Sequence, residues 1–126
     1  MNRPVHFEIQ ADDCERAAKF YTDVFGWRIE KYPNAPMDYW MIYTGEEGTL
    51  GINGGLYKRP GAPVVATQVY STYKCTMDVE SIDATMAKVT AAGGQPMPKV
   101  LMEGLGWFCN CLDTEGNGFG LMQATS

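Results

Sequence analysis

The residues best suited to catalysis or ligand binding lie in two short segments in which polar and apolar side chains alternate. The polar members are His6, Glu8 and Gln10 in the first segment, and Lys74 and Thr76 in the second. Side chains two residues apart in a strand point to the same side, so His6, Glu8 and Gln10 should lie on one polar face. His6 is the only histidine, which makes it the natural candidate for proton transfer near neutral pH. No second catalytic group is evident from spacing.

The cysteines allow two interpretations. They are Cys14, Cys75, Cys109 and Cys111, and no two of them form a CxxC pair, so a zinc knuckle is not supported. Cys109 and Cys111 would share one face of a strand. They are either reduced thiols in the interior or a redox pair or metal clip, and the sequence leaves both open.

An internal repeat indicates how these residues are positioned. Residues 5–26 can be laid over residues 73–94 with a constant offset of 68, since Val5 corresponds to Tyr73. Each copy begins with an alternating strand and continues into an amphipathic helix. Asp12 is predicted to cap the first helix and Ser81 the second. Each helix should cover the apolar face of its sheet, which leaves the polar face free.

Three strand-like runs follow each helix. They are predicted at about 27–32, 39–44 and 50–56 in the first half, and at about 97–103, 106–112 and 118–123 in the second. The order is βαβββ, linker, βαβββ, which indicates an α+β fold rather than a parallel sheet with alternating helices. We expect one domain over residues 1–126, with module one at about 1–56, a linker at about 57–71 and module two at about 72–126.

Composition excludes several classes of protein. The chain has 126 residues and a formal net charge of −5, so a polyanionic nucleic acid partner would be repelled. No basic membrane-binding stretch and no apolar run of transmembrane length occurs. We therefore expect no membrane partner and a cytoplasmic location.

Particular residues resemble one family. His6 in the first strand, Asp12-Asp13 at the helix start and the exit Val24-Phe25-Gly26-Trp27 match its opening pattern. Asp113-Thr114-Glu115-Gly116-Asn117 is similar to its final hairpin turn, in which Thr114 replaces the usual proline. The run Gly51-Ile52-Asn53-Gly54-Gly55-Leu56 also matches members of unknown function. Over essentially the whole chain, the sequence resembles the glyoxalase/bleomycin-resistance/dioxygenase (vicinal oxygen chelate) superfamily.

The resemblance implies two modules with curved mixed sheets around a central cavity. Metal-using members bind one divalent ion through His, Glu or Gln residues on the first and last strands of each module. His6 falls on the first of these positions. The others fall on Lys74, on Gly120 and near Ile52-Asn53, none of which supplies an imidazole or a carboxylate. We expect no cofactor, and a divalent metal held by His6, with help from Glu8, is the alternative.

The leading hypothesis is a protein that binds a hydrophobic or aromatic small molecule between its modules. The expected ligand-binding residues are His6, Glu8, Gln10, Lys74, Thr76, Gly120, Trp40 and Trp107. The alternative is a divalent-metal-dependent lyase, isomerase or dioxygenase-like enzyme that uses His6, and a non-catalytic interaction module is a third possibility. Because the superfamily hosts many chemistries, enzymatic activity stays open. Its members often pair, so we expect a homodimer.

Overall fold

The computed structural model describes residues 3–62 and 73–125. The chain divides into two compact units, Met1–Ala62 (unit 1) and Pro63–Ser126 (unit 2). In unit 1 the elements are β1 (His6–Ala11), α1 (Cys14–Phe25), β2 (Arg28–Lys31), β3 (Tyr39–Tyr43) and β4 (Asn53–Lys58). In unit 2 they are β5 (Thr76–Asp78), α2 (Ile82–Ala91), β6 (Gln95–Pro96), β7 (Val100–Met102), β8 (Gly106–Leu112) and β9 (Gly118–Ala124). The predicted α+β fold with mixed sheets is confirmed.

The sheet of unit 1 has the strand order β1-β4-β3-β2, with β1 parallel to β4 and the other pairs antiparallel. Helix α1 packs against β1, β2 and β4 through the predicted apolar stripe. Its buried members are Cys14, Ala17, Phe20, Tyr21 and Val24. The ring of Trp27, just after the helix, stacks on Tyr21 with 5.0 Å between centroids. The apolar face of the unit 1 sheet thus packs against α1 and forms the core, as the alternation of polar and apolar residues predicted.

The start of α1 differs by one residue from the prediction. The N-cap is Asp13, whose side chain accepts a hydrogen bond from the Arg16 backbone N–H at 3.0 Å. Asp12 instead forms an ion pair with Arg59, with 2.9 Å between Nη1 and Oδ1. The prediction of Asp12 as the cap was wrong, because both aspartates suit a cap and only a distant arginine distinguishes them. The helix ends at Gly26, which has a left-handed φ of 73°.

The sheet of unit 2 has the order β5-β9-β8-β6, and β7 also pairs with β8. Strand β5 is parallel to β9, and the remaining pairs are antiparallel. Within the run predicted as a strand at 97–103, the structure has only the short strand β7, and a separate short strand, β6, comes just before the run. Pro96 and Pro98 explain the break, because proline has no N–H to donate to a strand ladder. Over the described residues, unit 2 therefore reads βαββββ.

Helix α2 begins at the predicted cap, since Ser81 accepts from the Ala84 backbone N–H at 3.2 Å. Its Ile82 and Val89 side chains are buried, as the predicted stripe requires. The facing strands β8 and β9 contribute buried residues, namely Cys109, Cys111, Phe119 and Leu121. The Gln123 side chain on β9 accepts from the Ile82 backbone N–H at 2.8 Å and so fastens the helix start to the sheet.

The turn between β8 and β9 is held by one aspartate. Oδ1 of Asp113 accepts from the backbone N–H groups of Glu115 at 2.8 Å and Asn117 at 2.9 Å. Gly116 has a φ of 79°, a conformation that glycine adopts without strain. The hairpin predicted from the Asp-x-x-Gly-Asn pattern is confirmed, and Thr114 in place of proline does not prevent it.

Strand boundaries shift at the end of unit 1. The strand predicted at 50–56 is observed as β4, so Tyr57 and Lys58 belong to the sheet rather than to the predicted linker. Residues 63–71 of that linker lie outside the described residues. No helix within residues 3–62 and 73–125 is long and apolar enough to cross a membrane.

Candidate functional site

The polar residues predicted on β1 share a face with two tyrosines from neighbouring strands. The register pairs Glu8 with Gly55 and Gln10 with Tyr57, and it pairs Tyr57 with Tyr39. Partners directly opposite one another in a sheet point to the same side. This surface, which comprises His6, Glu8, Gln10, Tyr39 and Tyr57, is the Tyr39 face. It lies opposite the side that packs on α1.

A chain of hydrogen bonds runs across the Tyr39 face. The Tyr39 hydroxyl donates to Oε2 of Glu8 at 3.0 Å and lies 3.1 Å from Nε2 of His6. A phenol has a single hydroxyl proton, and Tyr39 uses it in the hydrogen bond to the Glu8 carboxylate. His6 must therefore be the donor in the hydrogen bond between its Nε2 and the Tyr39 oxygen. The imidazole therefore carries its proton on Nε2 when it is neutral. Its Nδ1 lone pair is left for another partner.

The same contacts alter the ionisation of Tyr39. Partial burial, together with the hydrogen bond and negative charge of Glu8, raises the pKa of Tyr39 to about 12. Both causes favour the neutral phenol, because a phenolate would be poorly solvated and would meet a carboxylate. Tyr39 is accordingly a hydrogen-bonding phenol at neutral pH rather than a base.

A second hydrogen bond holds Gln10 and Tyr57, the two residues of the Tyr39 face outside the chain of hydrogen bonds described above. Nε2 of Gln10 donates to the Tyr57 hydroxyl at 2.7 Å. The Tyr39 and Tyr57 rings are nearly parallel, with 6.3 Å between centroids and 15° between planes. Two aromatic rings held by polar neighbours provide a broad apolar surface with defined hydrogen-bonding groups at its edge.

Two adjacent glycines in β4 make room on opposite faces of the sheet. A Cβ atom on Gly55 would overlap the hydroxyl end of Tyr39, so the phenol can lie there only because residue 55 has no side chain. A Cβ atom on Gly54 would come within 2.7 Å of the Phe7 ring on the α1 side. The glycine-rich run that the sequence shares with its family thus shapes both faces at once.

The ends of the hydrogen-bond chain are accessible to solvent. The His6 side chain is 43% exposed and that of Glu8 is 47% exposed, with 3.9 Å between Nε2 and Oε2. A small molecule can therefore reach both groups without a rearrangement of unit 1. The catalytic role considered for His6 stays a prediction.

Trp40 lies on the other side of the same sheet. It is paired with the buried Leu56 in the register, and because it directly follows Tyr39 in the strand, its side chain points to the opposite face. The Lys31 ammonium lies 5.4 Å from the Trp40 ring centroid, and the indole lines a shallow cleft beside the start of α1. The structure therefore does not bring Trp40 together with His6, and its ligand-binding role stays a prediction.

In unit 2 the predicted polar residues also share a face. The register places Thr76, Gly120 and Asn110 side by side on three adjacent strands. The Lys74 ammonium donates to Oδ1 of Asn110, which gives that charge a polar partner within its own unit. A Cβ atom on Gly120 would meet Oγ1 of Thr76 at 2.7 Å, so the glycine makes room for the threonine.

Trp107 repeats the arrangement of Trp40. It lies opposite Gln123 in the register, on the face that packs on α2 and away from Gly120. The Lys99 ammonium lies 4.5 Å from its ring centroid and also pairs with Asp83 at 2.8 Å. Trp40 and Trp107 are thus each a partner for a lysine on the helix side of their sheets.

The cysteine pair belongs to the core of unit 2. Cys109 and Cys111 are buried on the α2 side, with 3.7 Å between their sulfur atoms. Burial, with a smaller effect of Cys109, raises the pKa of Cys111 to about 12. A thiol in this state is a poor nucleophile and a poor metal ligand, because both roles need the thiolate.

The donor groups at the positions that hold a metal in the family are already engaged or are of the wrong kind. Nε2 of His6 bonds to Tyr39, and Oδ1 of Asn53 accepts from the Thr44 backbone N–H at 3.0 Å. Lys74 has no lone pair to offer while it is protonated. Within residues 3–62 and 73–125, no three His, Cys, Asp or Glu side chains converge as metal ligands would.

Sequence reasoning placed the polar strand residues but missed their partners. Tyr39, Tyr57 and Asn110 could be identified only from the register, which pairs strands far apart in sequence. The adjacent glycines at 54 and 55 were the available signal, since a glycine inside a strand often marks the close approach of another group. The residues next to these glycines in the sequence do not indicate that the group approaching Gly55 is the Tyr39 hydroxyl.

Comparisons with known proteins agree with this fold. Residues 3–45 match a family model described as bleomycin resistance protein-like N-terminal. A glyoxylase-like domain-containing protein of Didymella fabae is 32% identical over 87% of this chain and 84% of its own length. CFP32 of Mycobacterium bovis, which is named as a glyoxylase, is 32% identical over 96% of this chain, and the chain spans only 45% of its length.

A solved structure is similar as well. That of TnmS3, an antibiotic binding protein from Streptomyces, has a TM-score of 0.72 and 18% identity, and covers 99% of this chain and 98% of its own. At this identity the likeness concerns the fold alone. The Didymella relative, similar across most of both chains, carries the assignment: the chain belongs to the glyoxalase/bleomycin-resistance/dioxygenase superfamily.

Proposed function

We propose that the chain binds a small hydrophobic or aromatic organic molecule, and that the Tyr39 face is the part of unit 1 that contacts it. The observation that carries the proposal is the pair of near-parallel rings, Tyr39 and Tyr57, held by hydrogen bonds beside accessible groups. Binding sites for organic ligands combine such apolar surface with a few oriented polar groups. The likeness in fold to an antibiotic-binding protein supports the same class of ligand.

We further propose that this binding requires no tightly bound metal. The Tyr39 face has one imidazole, His6, and one carboxylate, Glu8, and two such ligands hold a divalent cation poorly. The amide of Gln10 is engaged with Tyr57. Tyr39 also lies between His6 and Glu8 and bonds to both. A metal on Nε2 of His6 would have to displace this hydrogen bond.

Elemental analysis tests the metal proposal first. The purified protein would be measured as isolated and after incubation with manganese, nickel, zinc or iron, next to a His6→Ala variant. We expect less than a tenth of an equivalent of metal in every case. One equivalent that His6→Ala abolishes would instead favour a metal-dependent lyase, isomerase or dioxygenase-like enzyme.

Ligand binding is tested by a thermal-shift screen of aromatic compounds, followed by calorimetry on the hits. Tyr57→Ala removes one ring of the Tyr39 face and should weaken a true ligand about tenfold, since one aromatic contact is worth about 1.4 kcal/mol. Tyr32→Ala is the matched control, because Tyr32 is 46% exposed and outside this face. Equal affinity of the two variants would place the ligand elsewhere.

A homodimer completes the proposal. Strand β7 is apolar on both faces, and its residues Val100, Leu101 and Met102 are each about half exposed. A strand of this kind is typical of the interior, so a second copy is a suitable cover. Sedimentation velocity should show a dimer that Leu101→Lys weakens. Leu50→Lys, at a fully exposed position, should leave the dimer intact, and a monomeric wild-type protein would contradict the proposal.

A further inference from the structure

The hydrogen-bonding groups left over at the end of the Tyr39 face formed by His6 and Glu8 are acceptors. Tyr39 donates its proton to Oε2 of Glu8 and receives one from Nε2 of His6. In the neutral imidazole, Nδ1 of His6 therefore keeps its lone pair, and Oε1 of Glu8 keeps its full capacity to accept. Within residues 3–62 and 73–125, neither atom has another hydrogen-bond partner. A ligand that satisfies both atoms must bring N–H or O–H donors.

The electrostatic surroundings of these acceptors favour a positive charge. Glu8 is a carboxylate beside the π faces of Tyr39 and Tyr57, which also attract cations. Within the described strands of unit 1, the lysine or arginine on this side of the sheet is Arg28 of β2, which lies opposite Tyr43 in the register. It pairs with Glu30 at 2.7 Å and lies 3.8 Å from the Tyr43 ring centroid, so its charge is already compensated. The chain as a whole carries a net charge of −5, which attracts cations from a distance.

We infer that the Tyr39 face selects a flat organic cation with N–H donors, such as an amidinium, a guanidinium or a protonated aryl amine. The cationic group donates a charge-assisted hydrogen bond to Glu8, and its ring packs on the tyrosine pair. This inference deepens the proposed function and rests on it. It adds the sign of the ligand's charge, which an aromatic surface alone does not determine.

Three probes of nearly the same shape test the inference. Benzamidine is a cation near neutral pH, benzamide is neutral and benzoate is an anion. Each would be titrated into the protein, and binding followed by ligand-observed NMR and by the ring signals of His6. We expect benzamidine to bind at least tenfold more tightly than benzamide, and benzoate to bind most weakly.

Two variants assign the preference to its source. Glu8→Gln keeps the length and shape of the side chain but removes its negative charge. It should abolish the preference for benzamidine. Asp23→Asn changes the net charge by the same amount on the exposed face of α1, and should leave the preference intact. Equal loss in both variants would mean that only the overall charge matters, and would overturn the inference.

The outcomes separate this inference from the proposed function. If benzamide or benzoate binds at Tyr57-dependent sites as well as benzamidine does, the face binds aromatics without regard to charge, and only the inference is overturned. If benzamidine fails to bind while other aromatic compounds bind, the inference is again overturned. If no aromatic compound of either test binds, the proposed function fails with it.

Discussion

The hydroxyl group of Tyr39 donates a hydrogen bond to Glu8, and this one contact determines which ring nitrogen of neutral His6 carries the proton. The phenol oxygen lies 3.0 Å from Oε2 of Glu8 and 3.1 Å from Nε2 of His6. Since the oxygen can accept from His6 but has no second proton to give, the arrangement has a single direction. It runs from imidazole to phenol to carboxylate, and its consequences can be measured.

The first prediction concerns the tautomer of His6. We expect the neutral imidazole to carry its proton on Nε2, in contact with Tyr39. Because His6 is the only histidine, ring ¹⁵N spectra of labelled protein show its two nitrogens without assignment ambiguity. In Tyr39→Phe the tautomer should lose its constraint. A proton found on Nδ1 in the wild-type protein would contradict the hydrogen-bond direction.

The second prediction concerns alkaline pH. The pKa of Tyr39 is raised from 10 to about 12 by burial and by Glu8. A group whose folded-state pKa is raised contributes its full stability below the unfolded pKa and loses it as pH rises toward the folded pKa. The wild-type protein should therefore lose more unfolding free energy between pH 10 and 12 than Tyr39→Phe does. Because the phenol is partly exposed, solvent screening should keep this difference at about 1 kcal/mol.

Urea denaturation at several pH values measures this difference. Absorbance titration gives the ionisation directly, as the difference between wild-type protein and Tyr39→Phe. Glu8→Gln should bring the pKa of Tyr39 down towards 10, because it removes the charge that opposes the phenolate. Parallel stability curves for the wild-type protein and Tyr39→Phe would show that Tyr39 is not perturbed.

The third prediction concerns Gly55. Gly55→Ala places a methyl group where the Tyr39 hydroxyl lies, so the phenol must move off the sheet. We expect a loss of about 1–3 kcal/mol in the free energy of unfolding, typical of an overpacked site, and loss of the pKa shift of Tyr39. Gly45→Ala is the control, because its Cβ atom would meet only Oγ1 of Thr49 at 3.4 Å.

A double variant tests the cause. If Gly55→Ala acts through Tyr39, then Tyr39→Ala should relieve most of the loss, and the two substitutions should not be additive. Additive losses would mean that the alanine at residue 55 disturbs β4 itself.

The fourth prediction separates two neighbouring aspartates. Asp12 pairs with Arg59, whose side chain is only 5% exposed, whereas Asp13 caps α1. Asp12→Ala should cost about 3 kcal/mol, because it leaves a buried guanidinium without its carboxylate. Asp13→Ala should cost about 1 kcal/mol, the usual value of an N-cap. Urea denaturation of the two variants gives the order, and a larger loss for Asp13→Ala would contradict it.

The contrast between Asp12 and Asp13 also shows what the sequence could predict. Alternation and helical spacing gave both helices, the caps to within a residue and the polar sides of β1 and β5. These features depend on neighbours along the chain. Arg59, which assigns Asp12 to an ion pair, lies 47 residues away, and no local pattern reports it.

The aromatic residues show the same limit. Tyr39 and Trp40 are adjacent, and alternation guarantees that they lie on opposite faces without saying which is which. The register with β4 decides, and it puts Tyr39 rather than Trp40 beside His6. The strand predicted at 97–103 was a more local error, since Pro98 is visible within that run and Pro96 lies just before it.

The two glycines of β4 have a consequence for how this protein can evolve. Each clears space for one aromatic neighbour, Gly54 for Phe7 and Gly55 for Tyr39. A side chain at residue 55 is then tolerated only after Tyr39 has become smaller, and the reverse order passes through a destabilised intermediate. Among homologues, residues 55 and 39 should covary. Residue 54 should instead stay glycine whatever residue 7 is, because a Cβ atom there would also lie 2.5 Å from the backbone oxygen of Phe7. Lineages that keep both glycines can alter the residues at the edge of the Tyr39 face while the positions of the Tyr39 and Phe7 rings stay fixed.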